Sequence, residues 1–162
     1  WISKFIKEYD SKKKQKGLYL NGSFGCGKTY LVAACFNELA KKKVKSAIVY
    51  WPEFLRSLKE SFDDDFKEKF NYIKNIELLL IDDIGAENVT QWGRDEILGT
   101  ILQYRMENNL TTFFTSNLNY DELESALSIS KGKVDSLKAT RIMERIKNLT
   151  ISINLIGENR RK

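Results

Sequence analysis

Histidine is absent from the 162 residues, cysteine occurs twice and proline once. Without histidine, and with only Cys26 and Cys35 as sulfur donors, no nitrogen–sulfur metal cluster of the zinc kind can be assembled. Any metal must then be held by oxygen, which points to Mg²⁺. Cys26 lies in a glycine-rich stretch and Cys35 on the helical segment behind it, so a disulfide would distort both. The two read as free thiols in a reducing, cytoplasmic compartment. No apolar run approaches the roughly 20 residues that span a bilayer, so no membrane partner is expected. No signal-peptide pattern follows Trp1, and the non-Met start reads as a domain with a neighbour upstream. Internal repeats and low-complexity tracts are also missing.

What is present suits one soluble domain with one substantial core. The expectation is a single unit over 1–162, with 1–16 as a helix or linker and 17–162 as the core. The net charge of +5, from 27 basic and 22 acidic residues, is mild. It concentrates at lysines 12–14, lysines 41–43 and the tail 160–162. Such runs are either solvated helix ends and linkers or contacts to a phosphate backbone.

Short apolar runs at 18–21, 46–50, 78–82, 112–116 and 150–154 read as strands. Segments of helical period lie at 28–42, 53–62, 65–73, 92–107, 121–127 and 135–148. Alternating strands and helices predict a five-stranded parallel sheet with helices on both faces, an α/β three-layer sandwich. The unbroken run Leu78-Leu79-Leu80-Ile81 suits a central strand buried on both faces. The polar stretch 128–134, with Gly132, reads as a mobile loop.

The segment Gly22-Ser23-Phe24-Gly25-Cys26-Gly27-Lys28-Thr29 fits G-x-x-x-x-G-K-[ST] between a strand and a helix. Glycines let backbone N–H groups approach phosphate oxygens closely, and the helix that follows directs its positive end at the same place. Lys28 then supplies a charge to the β- and γ-phosphates, and the Thr29 hydroxyl a ligand to Mg²⁺. Cys26 is a small residue at a variable position, and Tyr30 directly follows the loop. These residues, 22–30, form the expected nucleotide-binding set.

The apolar strand ending in Asp82 and Asp83 supplies the acidic partner. In open α/β sheets ligands lie beyond the carboxyl ends of the strands. Asp82 would hold Mg²⁺, and Asp83 would orient the attacking water. No Asn-Lys-x-Asp guanine reader occurs, which favours ATP over GTP. At the end of the fourth strand, Asn117, or Ser116, could sense the γ-phosphate; alternatively Asn117 starts a turn or caps the next helix. Arg141 and Arg145 share a helix face four residues apart, either an ordinary solvated surface or a pair offered to a neighbouring subunit's nucleotide.

The combination GLYLNGSFGCGKTYLVAA, LLLIDDIGAE, WGRDEILGTILQYRM, TFFTSN and ATRIMERI resembles the AAA+ domain of bacterial replicative helicase loaders of the DnaI/DnaC type. The likeness is greater to the DnaI branch and runs from about Gly17 to the terminus, including GENRRK. It implies a P-loop AAA+ fold and an ATPase that binds ATP/ADP with Mg²⁺. It also implies self-association through the ATP site, a hexameric replicative helicase and single-stranded DNA as partners, and a role in DNA replication. By the same resemblance Asn117 is the sensor on the fourth strand, Arg145 the arginine finger and Arg141 its companion. The two helices between Tyr50 and Glu77 match the insertion typical of initiators and loaders, and a zinc-containing helicase-binding domain would precede Trp1.

Many AAA+ enzymes carry Asp-Glu where this chain has Asp82-Asp83. The shorter side chain predicts slow hydrolysis, since a misplacement of ~1 Å can lower a rate about 10²-fold. The core ends soon after the fifth strand, so no helical lid domain is expected, and an arginine from a lid is absent or is replaced by Arg160 or Arg161. Two other functions share these features: an ATPase that assists a transposase, and a nucleotide-binding adapter without turnover. A small-molecule kinase would need an arginine-rich lid that the sequence lacks.

Overall fold

The computed structural model describes residues 1–161; Lys162, the end of the basic tail, lies outside the described residues. Five strands form one parallel sheet: β1 (Gly17–Gly22), β2 (Ser46–Tyr50), β3 (Leu78–Asp82), β4 (Thr112–Ser116) and β7 (Thr150–Leu155), in the order β2-β3-β4-β1-β7.

Strand periodicity divides the core in two. Leu78 and Leu80 of β3 face one side with Leu18, Leu20 and Phe113, where Val32, Phe36 and Leu39 of α2 (Lys28–Ala40) cover them. Helix α1 (Ile2–Glu8) adds Phe5 to the same layer, its ring edge-on to Phe113. Leu79, Ile81, Tyr19 and Phe114 face the other side. There they meet α3 (Trp51–Glu60), α4 (Asp63–Asn75), α5 (Gly99–Glu107), α6 (Tyr120–Ser128) and α7 (Ser136–Leu149). Successive side chains point to opposite faces of a strand, which is why an unbroken apolar run serves both layers.

Three elements differ from the sequence reading. The stretch 128–134 contains a short antiparallel hairpin, β5 (Ile129–Ser130) with β6 (Lys133–Val134), turned by Lys131 and Gly132 at positive φ. It is therefore paired structure where a mobile loop was expected. The helix expected over 92–107 opens with a π-helical segment, Trp92–Leu98, before α5. That widened segment carries Arg94, which is buried, pairs bidentately with Asp95 and donates to the Leu127 carbonyl of α6 at 3.0 Å. Helix α3 starts two residues earlier than expected, at Trp51, with Pro52 in the first turn, where its missing N–H has no intrahelical partner to lose.

Arg105 of α5 is a second buried cation, fully enclosed. Its guanidinium donates to the carbonyls of Ile73, Lys74 and Ile76 at 3.3, 3.3 and 2.6 Å, and to those of Glu77 and Thr111 at 3.4 and 2.9 Å. Nε reaches Thr112 Oγ1 at 2.8 Å. A helix end leaves carbonyls without intrahelical donors, and Arg105 satisfies those at the end of α4. Burial pulls its pKa down to about 9, still above neutrality, so the charge persists. Arg105 thus ties α4, the start of β3 and the start of β4 into one unit, which fixes the strands that carry the site.

Candidate functional site

Because β3, β4 and β1 are neighbours, whatever follows their carboxyl ends must meet. The register Ile81↔Phe114 and Asn21↔Ser116 brings Asp82, Asn117 and the loop after β1 to one level. Between them lies a cleft of about 690 Å³, lined among others by Phe24, Lys28, Thr29, Asp82, Asp83 and Asn117.

The loop has the backbone that its glycines predict. Gly25 and Gly27 take φ of +77° and +97°, and α2 begins at Lys28 with Gly27 as its cap. The Lys28 side chain is 8% exposed and folds back over the loop, Nζ donating to the Gly22 and Ser23 carbonyls, each at 2.9 Å. A third donor hydrogen reaches Asn117 Oδ1 at 3.0 Å. Cys26 is buried beneath the loop, its Sγ 3.8 Å from Lys28 Nζ. Tyr30 stands 77% exposed at the rim of the cleft, and Ser23 donates to the Gly157 carbonyl at 3.4 Å.

Asp82 Oδ1 accepts from Thr29 Oγ1 at 2.7 Å and from Thr115 Oγ1 at 2.6 Å. Adjacent oxygen ligands at about 2.0–2.1 Å from an octahedral Mg²⁺ are about 2.9 Å apart, so Thr29 and Asp82 already stand at a fitting separation. No group of three or more acidic or cysteine side chains is placed to hold a metal ion among the described residues. The donor set therefore fits a cation that retains water and phosphate oxygens as its other ligands. Asp83 also lines the cleft and takes φ of +59°, a left-handed conformation uncommon outside glycine. Its carboxylate raises the pKa of the exposed Tyr50 phenol on the neighbouring strand end, with slight burial adding to the shift.

Asn117 stands in a bend after β4 and does not cap the next helix. Helix α6 is capped by Asn119, whose side chain and that of Glu122 form a reciprocal capping box, and Asn117 instead faces Lys28. Ser116 points away from the cleft, donating to the Ile84 carbonyl at 2.6 Å. Arg141 and Arg145 are both outside the cleft. Arg141 is exposed, and Arg145 is half-buried with Nη1 donating to the Gly99 carbonyl at 3.1 Å.

Sequence reasoning did not single out Thr115. It offered Arg160 and Arg161 both as part of a basic tail and as stand-ins for a lid arginine. In the structure β7 runs in register beside β1, Gly22 opposite Leu155, so the chain leaving β7 emerges beside the loop leaving β1. The Arg160 amide donates to the Gly25 carbonyl at 3.0 Å, Asn159 packs on Gly25, and the Arg161 guanidinium lies 4.7 Å from the Phe24 ring centroid. Both arginines line the cleft. The GENRR string suggested those two arginines but not their docking on the loop; that follows from the parallel pairing of β1 and β7.

The family model of the bacterial DnaA ATPase domain matches residues 2–135. A crystal structure of DnaI superposes with a TM-score of 0.88 at 52% identity, covering 99% of this chain and 80% of that one. The chain belongs to the DnaA-type ATPase family, in its DnaI/DnaC branch. The replicative helicase loader DnaI of Bacillus subtilis (strain 168) is 51% identical over 162 residues, 99% of this chain and 52% of that protein. A crystal structure of the DnaC helicase loader, at 24% identity, shares the fold with a TM-score of 0.76 and covers 96% of this chain and 86% of that one. This DnaI-type domain spans about half the length of the curated relatives it matches. The five-stranded parallel core is the AAA+ fold shared with DnaI, and no helical lid occurs among the described residues. Among the described residues no helix is long and apolar enough to cross a membrane.

Proposed function

We propose that this domain binds ATP with Mg²⁺, hydrolyses it slowly and uses it to control delivery of a hexameric replicative helicase to single-stranded DNA. The observation that carries the reading is the meeting of Lys28 with Asn117 and of Thr29 with Asp82 in one cleft, at 3.0 and 2.7 Å. Residues 22–30 cradle the phosphates, Lys28 takes the β- and γ-phosphates, and Thr29 and Asp82 would hold Mg²⁺, which would supply neutralisation of the phosphate charge. Asn117 already exchanges a hydrogen bond with Lys28, so it can report whether a γ-phosphate has drawn that lysine away. Asp83 orients water, and its short reach keeps turnover slow.

Arg145 does not reach the cleft of its own chain, which supports a role toward a neighbouring protomer's nucleotide, with Arg141 beside it. An arginine finger accelerates phosphoryl transfer by about 10³–10⁵-fold. ATP turnover measured with and without single-stranded DNA and the hexameric helicase tests this. The parent is expected to turn over well below ~10 s⁻¹ alone, the middle of the enzyme range, and to respond to the partners. Arg145→Ala should bind ATP normally and lose the response. An Arg145→Ala variant that responds as the parent does would remove the finger, and a turnover near ~10 s⁻¹ without partners would remove the slow switch. The adapter reading draws on the same short Asp83, and complete absence of turnover under every condition would favour it.

Lysines 12–14 precede β1 and lysines 41–43 lie between α2 and β2, so both runs fall at the amino ends of the strands, opposite the cleft, and all six are exposed. That separation leaves a basic surface for a nucleic-acid backbone without competing with nucleotide. Binding of single-stranded DNA is expected to weaken with added salt, since phosphate contacts release counterions.

The segment 156–161 deepens the site. Lys28 Nζ marks the β/γ end of the cleft by its contact with Ser23, and this segment docks on Ser23, Phe24 and Gly25. Arg160 and Arg161 therefore stand where the terminal phosphates would lie. The double variant Arg160→Ala/Arg161→Ala is expected to weaken ATP about tenfold, and ADP less, in a fluorescent-nucleotide titration. Equal affinity of variant and parent for ATP would assign the arginines to the surface alone.

A further inference from the structure

Thr115 is the last residue but one of β4, 1% exposed, yet its hydroxyl reaches the floor of the cleft. That hydroxyl makes two hydrogen bonds of opposite sense. It donates its proton to Asp82 Oδ1 at 2.6 Å and accepts the Asp83 backbone N–H at 2.9 Å. Each bond acts on a different neighbour. The first spends Oδ1 of Asp82, and Oδ2 accepts no hydrogen bond among the described residues. The carboxylate is thereby held through one oxygen, by Thr115 of β4 and Thr29 of α2. The second bond grips the residue whose φ is +59°. A non-glycine residue in that region persists where its surroundings over-determine it, at roughly the cost of a local strain. The surroundings here are Thr115 twice over, because its carbonyl also accepts the Ile84 N–H at 3.0 Å.

We infer that Thr115 is a positioning residue that couples the metal-holding carboxylate of Asp82 to the water-orienting carboxylate of Asp83. The inference rests on the nucleotide reading above. The hydroxyl gives its one proton to Asp82 and a lone pair to the Asp83 N–H, so removing that oxygen removes both bonds at once. The Thr29 hydroxyl also donates to Asp82 Oδ1, and with a lone pair on a cation it could keep its proton there; it makes no bond to Asp83, so the link between the two carboxylates belongs to Thr115. The backbone bond to Asp83 fixes the turn after β3, which decides where the short Asp83 side chain can reach. A side chain one methylene short of glutamate depends more heavily on such a fixed turn.

The test compares Thr115→Val, which keeps the shape and removes the hydroxyl, with Thr115→Ser, which keeps the hydroxyl and removes the methyl. In nucleotide-free protein, amide exchange at Asp83 followed by NMR should quicken at least tenfold in Thr115→Val and stay near the parent rate in Thr115→Ser. In fluorescent-ATP titrations, Thr115→Val should match the parent in EDTA and lose about tenfold of the gain that Mg²⁺ confers. Its turnover should fall about 10²-fold, as expected for a misplaced reacting group, and Thr115→Ser should restore both. Asp83 exchange and Mg²⁺ dependence unchanged in Thr115→Val would overturn the proposal. So would equal impairment of Val and Ser variants, which would assign the effect to packing of the methyl. Lys28→Ala is run alongside: if it too binds ATP like the parent, the nucleotide reading itself fails, an outcome distinguishable from failure of the Thr115 role alone.

Discussion

Replacing Lys28 with alanine is expected to weaken ATP at least about 100-fold, equivalent to about 2.7 kcal/mol. The expectation follows from what the side chain does without nucleotide. The residue is 8% exposed, and its ammonium is shared among two carbonyls of its own loop and Asn117, all within 3.0 Å. A cation already desolvated and aimed at the cleft gains a strong, charge-assisted contact when a phosphate enters, with little further ordering to oppose it. The alanine variant loses that contact and leaves an anion against uncompensated backbone carbonyls. The fold should survive, because the carbonyls released lie at an open cleft where water can replace the amine. A thermal-shift assay separates these effects. Bound ligand raises stability by RT ln(1 + [L]/Kd), so saturating ATP should raise the midpoint of the parent and not that of Lys28→Ala. Without ATP the two midpoints should lie close together. A variant that retains the ATP-induced shift would show that the phosphates do not lie against Lys28.

Arg105→Met should destabilise the fold more than any change in the cleft. Methionine approximates the volume of the side chain but donates nothing, and five backbone carbonyls and one threonine hydroxyl lose their partner together. Buried groups left unpaired are destabilising by about 1–3 kcal/mol each. Several of these six share bonds or sit near the end of a helix that can loosen, so a total of about 4 kcal/mol is expected. For a domain of this size that corresponds to a midpoint lower by about 10 °C. Because β3 and β4 are the elements tied by Arg105, the loss should also show as faster amide exchange at the start of both strands. A shift under about 2 °C would mean that water can reach the end of α4 and replace the guanidinium.

The parts of the site that lie within one stretch of sequence were legible at once. Gly22 to Thr29 requires a fixed spacing, and the apolar run before Asp82 requires a central strand, so each could be read without knowing its neighbours. The five strands were legible for the same reason, their side-chain period being local. Arg105 was not, because in the string LQYRME it is indistinguishable from a solvated helix cation; only the carbonyls of α4 and β4, distant in sequence, give it a function. Thr115 was passed over in favour of Asn117 and Ser116, since three consecutive polar residues at a strand end look alike until the pleat shows which ones face Asp82. The hairpin at β5 and β6 escaped because its two-residue strands carry too few side chains for a period. Arg160 and Arg161 were offered in place of a lid arginine, but the docking of 156–161 on the phosphate loop was not legible because it depends on the pairing of β7 with β1.

The central claim is that one cleft holds Mg²⁺ and ATP between the loop after β1 and the ends of β3 and β4. A crystal structure with a non-hydrolysable ATP analogue and Mg²⁺ tests it most directly. The account predicts a triphosphate along residues 22–29, with Lys28 drawn from the Gly22 and Ser23 carbonyls to the terminal phosphates. The metal should be held by Thr29 and Asp82, and Asn117 should turn to the γ-phosphate. An analogue bound elsewhere, or phosphates in the cleft with Lys28 still folded on its own loop, would contradict it.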